Sequence, residues 1–184
     1  LSFATQKLQQ VLKIARTVPF ELDNANKFKI PASLKDPIEY KGAKYKLGVG
    51  GLHSQEKHRC VVAEKGFRLC EVDVASYYPW MIINEGYAPE QYGESFTEVY
   101  TAIVKDRMRA KSEGDTVTAD SLKIVINSSF GKFGNKYSSI FSPSLLIHTT
   151  LTGQFLLLKL IEMMEMSGVR VVSANTDGIV CKYA

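Results

Sequence analysis

The segment VRVVSANTDGIVCKY, residues 169–183, constrains the fold more than any other part of the chain. Two runs rich in β-branched residues flank the turn-forming tetrapeptide NTDG, which predicts a β-hairpin with Asp-Gly at its tip. Further strand patterns precede a block of helical patterns in the middle of the chain. Strands, then helices, then strands indicate an α+β fold, with a mainly antiparallel sheet backed by helices on one side.

The N-terminal part supplies the other strand patterns. An apolar periodicity near 3.6 residues predicts a helix over 2–18, and three prolines predict an extended connector over 19–37. Three patterns follow it: a short hairpin over 38–47 around Lys41-Gly42, a glycine-rich bend over 48–54, and a second hairpin over 60–74 that turns at 64–66.

The helical block has three members. Residues 95–112 and 118–133 are predicted helices, joined by a loop with good N-cap residues at Thr118 and Asp120. A long, mostly apolar helix is predicted over 144–168, where Gly168 ends it.

Composition bounds the function classes. A chain of 184 residues with 45% hydrophobic content has enough for one substantial core or two small ones, and its net charge of +4 mildly favours a polyanionic partner. The three cysteines form no CxxC pair, and their odd number argues against a disulfide framework and for a reducing cytoplasm. The three histidines lack zinc-ligand spacing.

The apolar segments and the two ends of the sequence bear on membrane insertion, secretion and the extent of the chain. No uninterrupted apolar run of about 18 residues and no signal-peptide pattern are present, so neither a membrane nor a secretory assignment is supported. The chain begins with Leu and stops soon after a strand, which suggests a piece of a longer protein.

Two aspartates lie at the ends of predicted strands. Asp73 follows an apolar strand, and its β-branched neighbours Val72 and Val74 predict burial, which is costly for a carboxylate without a partner. Asp177 lies in the turn of the C-terminal hairpin. If the two strands are neighbours, the carboxylates repel unless a cation lies between them, and Mg²⁺ suits carboxylates plus substrate phosphates. The alternative is that each aspartate simply caps a turn.

Cations and one aromatic ring lie on predicted helices. The segment KIVINSSFG places Lys123, Asn127 and Phe130 on one helical stripe with Gly131. Arg107 and Lys111 are four residues apart, a spacing that costs a few tenths of a kcal/mol unless an anion such as a triphosphate lies across them. A solvated basic helix is the alternative, since Lys105 and Arg109 repeat the spacing.

Taken in order, these segments resemble the motifs of family B DNA polymerases. DVASYYP resembles the first palm motif DxxSLYP, KIVINSSFG the fingers motif KxxxNSxYG, and SANTDGIV the second palm motif YxDTDS. LGVGGLHS resembles the glycine-rich YxGG segment. The sequence pattern of these segments is most similar to that of the phage and protein-primed members of the family. The resemblance implies an N-terminal helix and connector over 1–47, palm parts over 48–94 and 135–184, and a short helical fingers insertion over 95–134.

The resemblance also implies roles. Asp73 and Asp177, with the main chain of Val74, would bind two Mg²⁺ ions, with Mn²⁺ as a substitute, and would be the catalytic residues. Tyr78 would pack under the incoming sugar and exclude a 2′-hydroxyl. The remaining nucleotide-binding residues would be Arg107, Lys111, Lys123, Asn127 and Phe130. The implied DNA-binding residues are Gly50, Gly51, Gly131, Lys132 and Thr176.

Four positions depart from the family pattern: Gly48 replaces Tyr, Phe130 replaces Tyr, Asn175 replaces the first Asp of the last motif, and Gly178 replaces Ser. The second Asp of that motif carries the metal in this family, so catalysis is still expected.

The expected function is template-directed DNA synthesis in the cytoplasm, that of a bacterial host if the gene is of phage origin. The partners would be primer–template DNA, deoxynucleoside triphosphates and, in a protein-primed system, a terminal protein. Two alternatives stay open. One is a nucleic-acid- or nucleotide-binding fragment without catalysis, and the other is a structural α+β domain whose charges only solvate its surface.

Overall fold

The computed structural model describes residues 1–24, 27–58 and 60–184, so residues 25 and 26 of the predicted connector lie outside the described residues. These ranges contain five α-helices and six strands, with a short 3₁₀ helix at Ala32–Leu34. The helices are α1 (Gln6–Thr17), α2 (Tyr77–Asn84), α3 (Glu94–Glu113), α4 (Thr116–Lys132) and α5 (Pro143–Met166). The strands are β1 (Ile38–Tyr40), β2 (Ala43–Leu47), β3 (Leu52–Ser54), β4 (Arg68–Asp73), β5 (Arg170–Asn175) and β6 (Gly178–Tyr183).

The chain divides into two compact units, which are described separately. The sheet unit comprises Leu1–Leu22, Phe28–Ala75 and Thr150–Ala184. The helical unit comprises Asp23–Lys27 and Ser76–Thr149. The predicted α+β class is confirmed, whereas the predicted division into palm and fingers parts stays a prediction.

The sheet unit is a six-stranded antiparallel sheet in the order β1-β2-β3-β5-β6-β4. Alternate residues of each strand face one side, where they form an apolar core with α1 and the C-terminal part of α5. The fully buried strand residues of this core are Tyr45, Leu47, Leu52 and Ile179. Leu8 of α1 and Leu158 of α5 are fully buried against them. The apolar face of the sheet packs against the helices, and polar residues lie on the opposite face.

The helical unit is built on the pair α3 and α4, with α2 and the first turns of α5. Its separate core contains Ile82, Tyr100, Val104, Ile126 and Phe133. Gly114 ends α3 in a left-handed conformation, and Asp115 caps α4 by accepting a 3.0 Å hydrogen bond from the main-chain N–H of Thr118. The predicted N-caps Thr118 and Asp120 are therefore wrong, because α4 begins two residues before Thr118.

Three strand predictions are also corrected. The strand pairing of the second hairpin is wrong, because residues 60–65 form no strand in the described chain and β4 pairs with β6 instead. Its predicted turn at 64–66 is present, with the N–H of Phe67 donating a 2.9 Å hydrogen bond to the carbonyl of Glu64. The glycine-rich bend is only partly a bend, because Leu52–Ser54 form β3 between β2 and β5. The C-terminal hairpin has Thr176 and Asp177 in its loop, and Gly178 already belongs to β6, so Asp-Gly is not the tip.

Among the described residues, α5 is the one helix long and apolar enough to cross a membrane by length and composition. The same test is passed by core helices of soluble proteins, and 61% of its most apolar window is buried inside the protein.

A buried carboxylate joins α5 to the start of α1. Glu162 is fully buried and accepts hydrogen bonds from the main-chain N–H groups of Thr5 (2.7 Å) and Ala4 (3.2 Å) and from Lys159 Nζ (2.7 Å). Burial alone would raise the pKa of this carboxyl, but the hydrogen bonds from Lys159, Thr5 and Ala4 outweigh it and lower the pKa to about 2. Glu162 therefore stays charged and anchors the N-terminal helix.

We predict that Glu162→Gln lowers the free energy of unfolding by about 2–3 kcal/mol at pH 7, because an uncharged amide leaves Lys159 without its buried partner. The folded pKa lies below the ordinary value of 4.5, so the stabilisation is complete above pH 4.5 and is lost as pH falls towards 2. Urea unfolding between pH 7 and pH 2.5 measures this.

The exposed Glu98→Gln is the control, and its stability should follow the parent at every pH. A constant difference between parent and Glu162→Gln across this range would contradict the assignment.

Candidate functional site

The pairing of β4 with β6 brings the two predicted metal ligands to one end of adjacent strands. Asp73 lies directly opposite Gly178, and the main-chain N–H of Val74 donates a 3.0 Å hydrogen bond to the carbonyl oxygen of Asp177. Residues opposite each other in an antiparallel pair have Cα atoms about 4.5–5.5 Å apart. Asp73 and Asp177 are therefore neighbours in space although 104 positions separate them in sequence.

The predicted burial of Asp73 is wrong. β4 is one of the two edge strands of the sheet, and Val72 and Val74 beside the aspartate are 45% and 37% exposed. Asp73 itself is exposed and Asp177 is half-buried. In the part of the chain that the structure describes, no side chain donates a hydrogen bond or forms an ion pair to either carboxylate. Neither carboxylate therefore has a side-chain partner among the described residues, although the two lie at one end of neighbouring strands.

Gly178 makes room for the Asp73 carboxylate. A Cβ built on Gly178 would overlap Asp73 Oδ1, so the space in which a side chain at 178 would begin is taken by the carboxylate of the neighbouring strand. Gly178, where the motif that this segment resembles has Ser, therefore has a steric reason in this chain.

The donor types at this sheet end fit Mg²⁺ better than zinc. No group of three or more His, Cys, Asp or Glu side chains lies close enough to hold a metal among residues 1–24, 27–58 and 60–184. Structural zinc needs four such ligands, whereas Mg²⁺ keeps several waters and takes one or two carboxylates plus substrate phosphates. Asp73, Asp177 and the main-chain carbonyl of Val74 supply that smaller set.

A row of four polar residues and one glycine crosses the open face of the sheet and ends at Asp73. The strand registers pair Lys46 with His53, His53 with Asn175, Asn175 with Gly178, and Gly178 with Asp73. Residues directly opposite each other point to the same face, so the five share one line across five strands. With strands about 4.8 Å apart, the line is about 19 Å long and runs from a cation to an anion.

Two of the predicted DNA-contacting glycines, Gly50 and Gly51, lie with Thr176 beside this row. Gly50 is exposed, whereas Gly51 is buried against the side chain of Thr176. Thr176 has a left-handed main chain with φ 57°, and its N–H donates a 2.7 Å hydrogen bond to the carbonyl of Leu52. The glycine-rich segment and the turn that bears Asp177 are therefore in direct contact.

In the helical unit, the structure stacks two of the predicted nucleotide-binding rings. Tyr78 on α2 and Phe130 on α4 lie with ring centroids 4.8 Å apart and planes only 3° from parallel. Phe133 packs edge-on against Phe130 from the core side, so the pair rests on a buried ring. The stack presents a flat, half-buried apolar surface.

Arg107 is the predicted cation whose surroundings the structure defines most fully. Its Nη1 donates a 2.6 Å hydrogen bond to Ser76 Oγ, and its Nε is buried without a hydrogen-bond partner in the described chain. Ser76 is itself left-handed, with φ 54°, and precedes α2. By contrast, Arg109 forms a 2.9 Å salt bridge with Asp106. Of the two arginines of α3, only Arg107 therefore has a buried N–H without a hydrogen-bond partner in the described chain.

The remaining predicted residues are on the surface of the helical unit. Lys111 is exposed on α3, and four exposed residues lie on α4: Lys123, Asn127, Gly131 and Lys132. The structure therefore gathers the predicted residues into two sets. The sheet unit holds Asp73, Val74, Gly50, Gly51, Thr176 and Asp177, and the helical unit holds the nucleotide-binding residues with Gly131 and Lys132.

Comparison with known proteins adds no family. No protein-family model matches the chain, and no curated protein sequence matches it.

Sequence reasoning missed Lys46, His53 and Gln154. Two signals were present. The alternation in AKYKL puts Lys44 and Lys46 on the face opposite Tyr45 and Leu47, which marks an open basic face. Gln154 interrupts an apolar helix in LTGQFLLL, and a buried amide in such a place needs specific partners.

We predict that Phe130→Ala lowers the free energy of unfolding by about 2 kcal/mol, because it removes the ring stacked on Tyr78 and the edge contact with Phe133. Phe130→Tyr keeps the ring and should change it by less than about 1 kcal/mol. Chemical denaturation of both variants checks this, and equal losses in the two would contradict the stacking account.

Proposed function

We propose that this chain carries the palm and fingers parts of a family B-like, template-directed DNA polymerase. The observation that carries the proposal is the β4–β6 register. It holds, at one end of neighbouring strands, two aspartates whose carboxylates have no side-chain partner within residues 1–24, 27–58 and 60–184. Two such carboxylates at an open sheet end suit the binding of divalent cations together with a polyphosphate. The order of the four motifs supports the same assignment.

The helical unit has the features that nucleotide binding requires. The Tyr78–Phe130 stack offers a flat ring surface for the sugar and base, and Arg107 has a buried N–H with no partner in the described residues. Lys111 and Lys123 are exposed cations on the two long helices. A triphosphate would satisfy the Arg107 donor and relieve the like-charge spacing of Arg107 and Lys111.

The row Lys46–His53–Asn175 on the open sheet face suits a nucleic-acid backbone. Its cation, imidazole and amide are the side-chain types that contact phosphates and sugars without reading sequence. Template pairing supplies the sequence information in this reaction, so the protein needs shape and backbone contacts. Primer–template DNA is therefore the proposed macromolecular partner.

In the proposed reaction, two Mg²⁺ ions held by Asp73 and Asp177 would activate a primer 3′-hydroxyl and stabilise the departing pyrophosphate. Arg107, Lys111 and Lys123 would neutralise the charge that develops on the triphosphate oxygens. Tyr78 would support the deoxyribose and exclude a 2′-hydroxyl, and Asn127 with Phe130 would line the new base pair.

The second candidate is a nucleotide- or nucleic-acid-binding module without turnover. It shares the Arg107 donor and the ring stack with the polymerase proposal, so binding alone does not separate the two. Primer extension with Mn²⁺ by this chain would separate them, because only the polymerase lengthens the primer.

We predict that Asp73→Asn and Asp177→Asn each weaken Mn²⁺ binding at least about 10-fold, because each removes one of two carboxylate ligands. Titration calorimetry measures the affinity, and circular dichroism checks that the fold is retained. Glu71→Gln is the matched control, since Glu71 lies two residues from Asp73 on the same face of β4. If Glu71→Gln weakens binding as much as the aspartate changes, the site is only a diffuse negative surface.

We predict that Tyr78→Ala reduces the preference for dGTP over GTP, because removal of the ring opens space for a 2′-hydroxyl. The ratio of the two dissociation constants in Mn²⁺ is the measurement. Tyr137→Ala, which changes an 86% exposed tyrosine of the same unit, should leave that ratio at the parent value. An unchanged ratio in Tyr78→Ala would contradict the assigned role.

A further inference from the structure

A buried glutamine of α5 binds both polar main-chain atoms of the first glycine in the glycine-rich segment. Gln154 is 0% exposed. Its Oε1 accepts a 2.8 Å hydrogen bond from the N–H of Gly48, and its Nε2 donates to the carbonyl of Gly48 at 2.9 Å and to that of Thr150 at 3.1 Å. Gln154 thereby fixes Gly48 to a core helix that cannot move without disturbing the sheet.

The segment from Gly48 to Leu52 passes this constraint on to the turn bearing Asp177. A Cβ on Gly48 would lie 2.9 Å from the carbonyl oxygen of Gly51, so the segment folds tightly on itself. A Cβ on Gly51 would lie 2.9 Å from both Thr176 Cγ2 and Oγ1. Together with the 2.7 Å hydrogen bond from Thr176 N–H to the Leu52 carbonyl, these contacts seat the turn on the glycines.

The turn needs such support because Thr176 is strained. A β-branched residue at φ 57° is unfavourable by about 1–2 kcal/mol, so the conformation persists only where neighbours hold it. Asp177 follows at once, and its carbonyl accepts the hydrogen bond from Val74 N–H that joins the turn to β4. Loss of support at Gly51 and Leu52 therefore changes where Asp177 lies relative to Asp73.

We propose that Gln154 is a positioning residue, which acts through Gly48 and Gly51 to hold the Thr176–Asp177 turn in place for cation binding. The proposal rests on the proposed function for its cation. It also gives a reason for Gly48 in place of the family's Tyr: a side chain there would push apart Gly48 and Gly51, while Gln154 supplies the anchor from the helix.

The test is amide hydrogen exchange of the parent and of Gln154→Met, which keeps the length of the side chain and removes its hydrogen bonds. The measured quantity is the exchange rate of the Thr176 amide divided by that of Val180, which lies in β6 between two paired strands. We expect this ratio to rise about 10-fold or more in Gln154→Met, because the turn opens locally while the sheet stays closed. Mn²⁺ affinity should fall about 10-fold or more.

Leu157→Ala is the matched control, since it creates a cavity in the same helix and the same core without changing a polar contact. It should lower stability and leave both the exchange ratio and the Mn²⁺ affinity within about 2-fold of the parent. Gly51→Ala pushes on Thr176 from the other end of the connection and should repeat the Gln154→Met result, which provides a second variant if Gln154→Met does not fold.

Each outcome bears on one of the two proposals. An unchanged exchange ratio in Gln154→Met and Gly51→Ala would overturn the positioning role. A raised ratio with unchanged Mn²⁺ affinity would also overturn it, because the turn would then move without consequence for the cation. If the parent itself binds no Mn²⁺, the proposed function fails, and the exchange ratio still decides whether Gln154 supports the turn.

Discussion

The antiparallel pairing of β4 with β6 is the interaction on which the candidate site depends. In this register Asp73 and Glu71 face the open side of the sheet, while Cys70 lies opposite the buried Cys181 on the core side. Because side chains alternate along a strand, a slip of one residue would turn Asp73 towards the core and Cys70 towards solvent. The hydrophobic pattern of β6 therefore determines where the carboxylate of β4 lies.

Sequence patterns correctly predicted the helices and the hairpin that depend on residues close together in the sequence. The helices α1, α3, α4 and α5 follow from apolar periodicity, and the β1–β2 hairpin follows from its Lys41-Gly42 turn. The partner of β4 was missed because Gly66 provides a turn signal close by, whereas the true partner, β6, lies more than 100 residues away. Strand pairing at that distance depends on burial of a whole sheet face, which no short window contains.

The site was predicted unevenly for a related reason. Their positions at predicted strand ends singled out Asp73 and Asp177, but the inference that Asp73 is buried came from its neighbours' β-branching and ignored the possibility of an edge strand. Residues outside the motifs, such as Lys46, His53 and Gln154, become relevant only through registers and hydrogen bonds that join distant segments. Candidate ligand residues within a single motif can therefore be predicted from sequence, whereas the contacts by which distant segments hold those motifs in place cannot.

Main-chain strain outside glycine is concentrated in two of the polymerase-like segments. Three non-glycine residues of the described chain have positive φ: Lys41, Ser76 and Thr176. Lys41 belongs to a two-residue hairpin turn with Gly42, where this conformation is ordinary. Ser76 and Thr176 instead lie inside the first and last polymerase-like motifs, and each is held by a hydrogen bond from outside its motif, from Arg107 and to Leu52. Glycine would relieve the strain at both positions, but it would also remove the Ser76 hydroxyl that binds Arg107 and the Thr176 side chain that packs on Gly51.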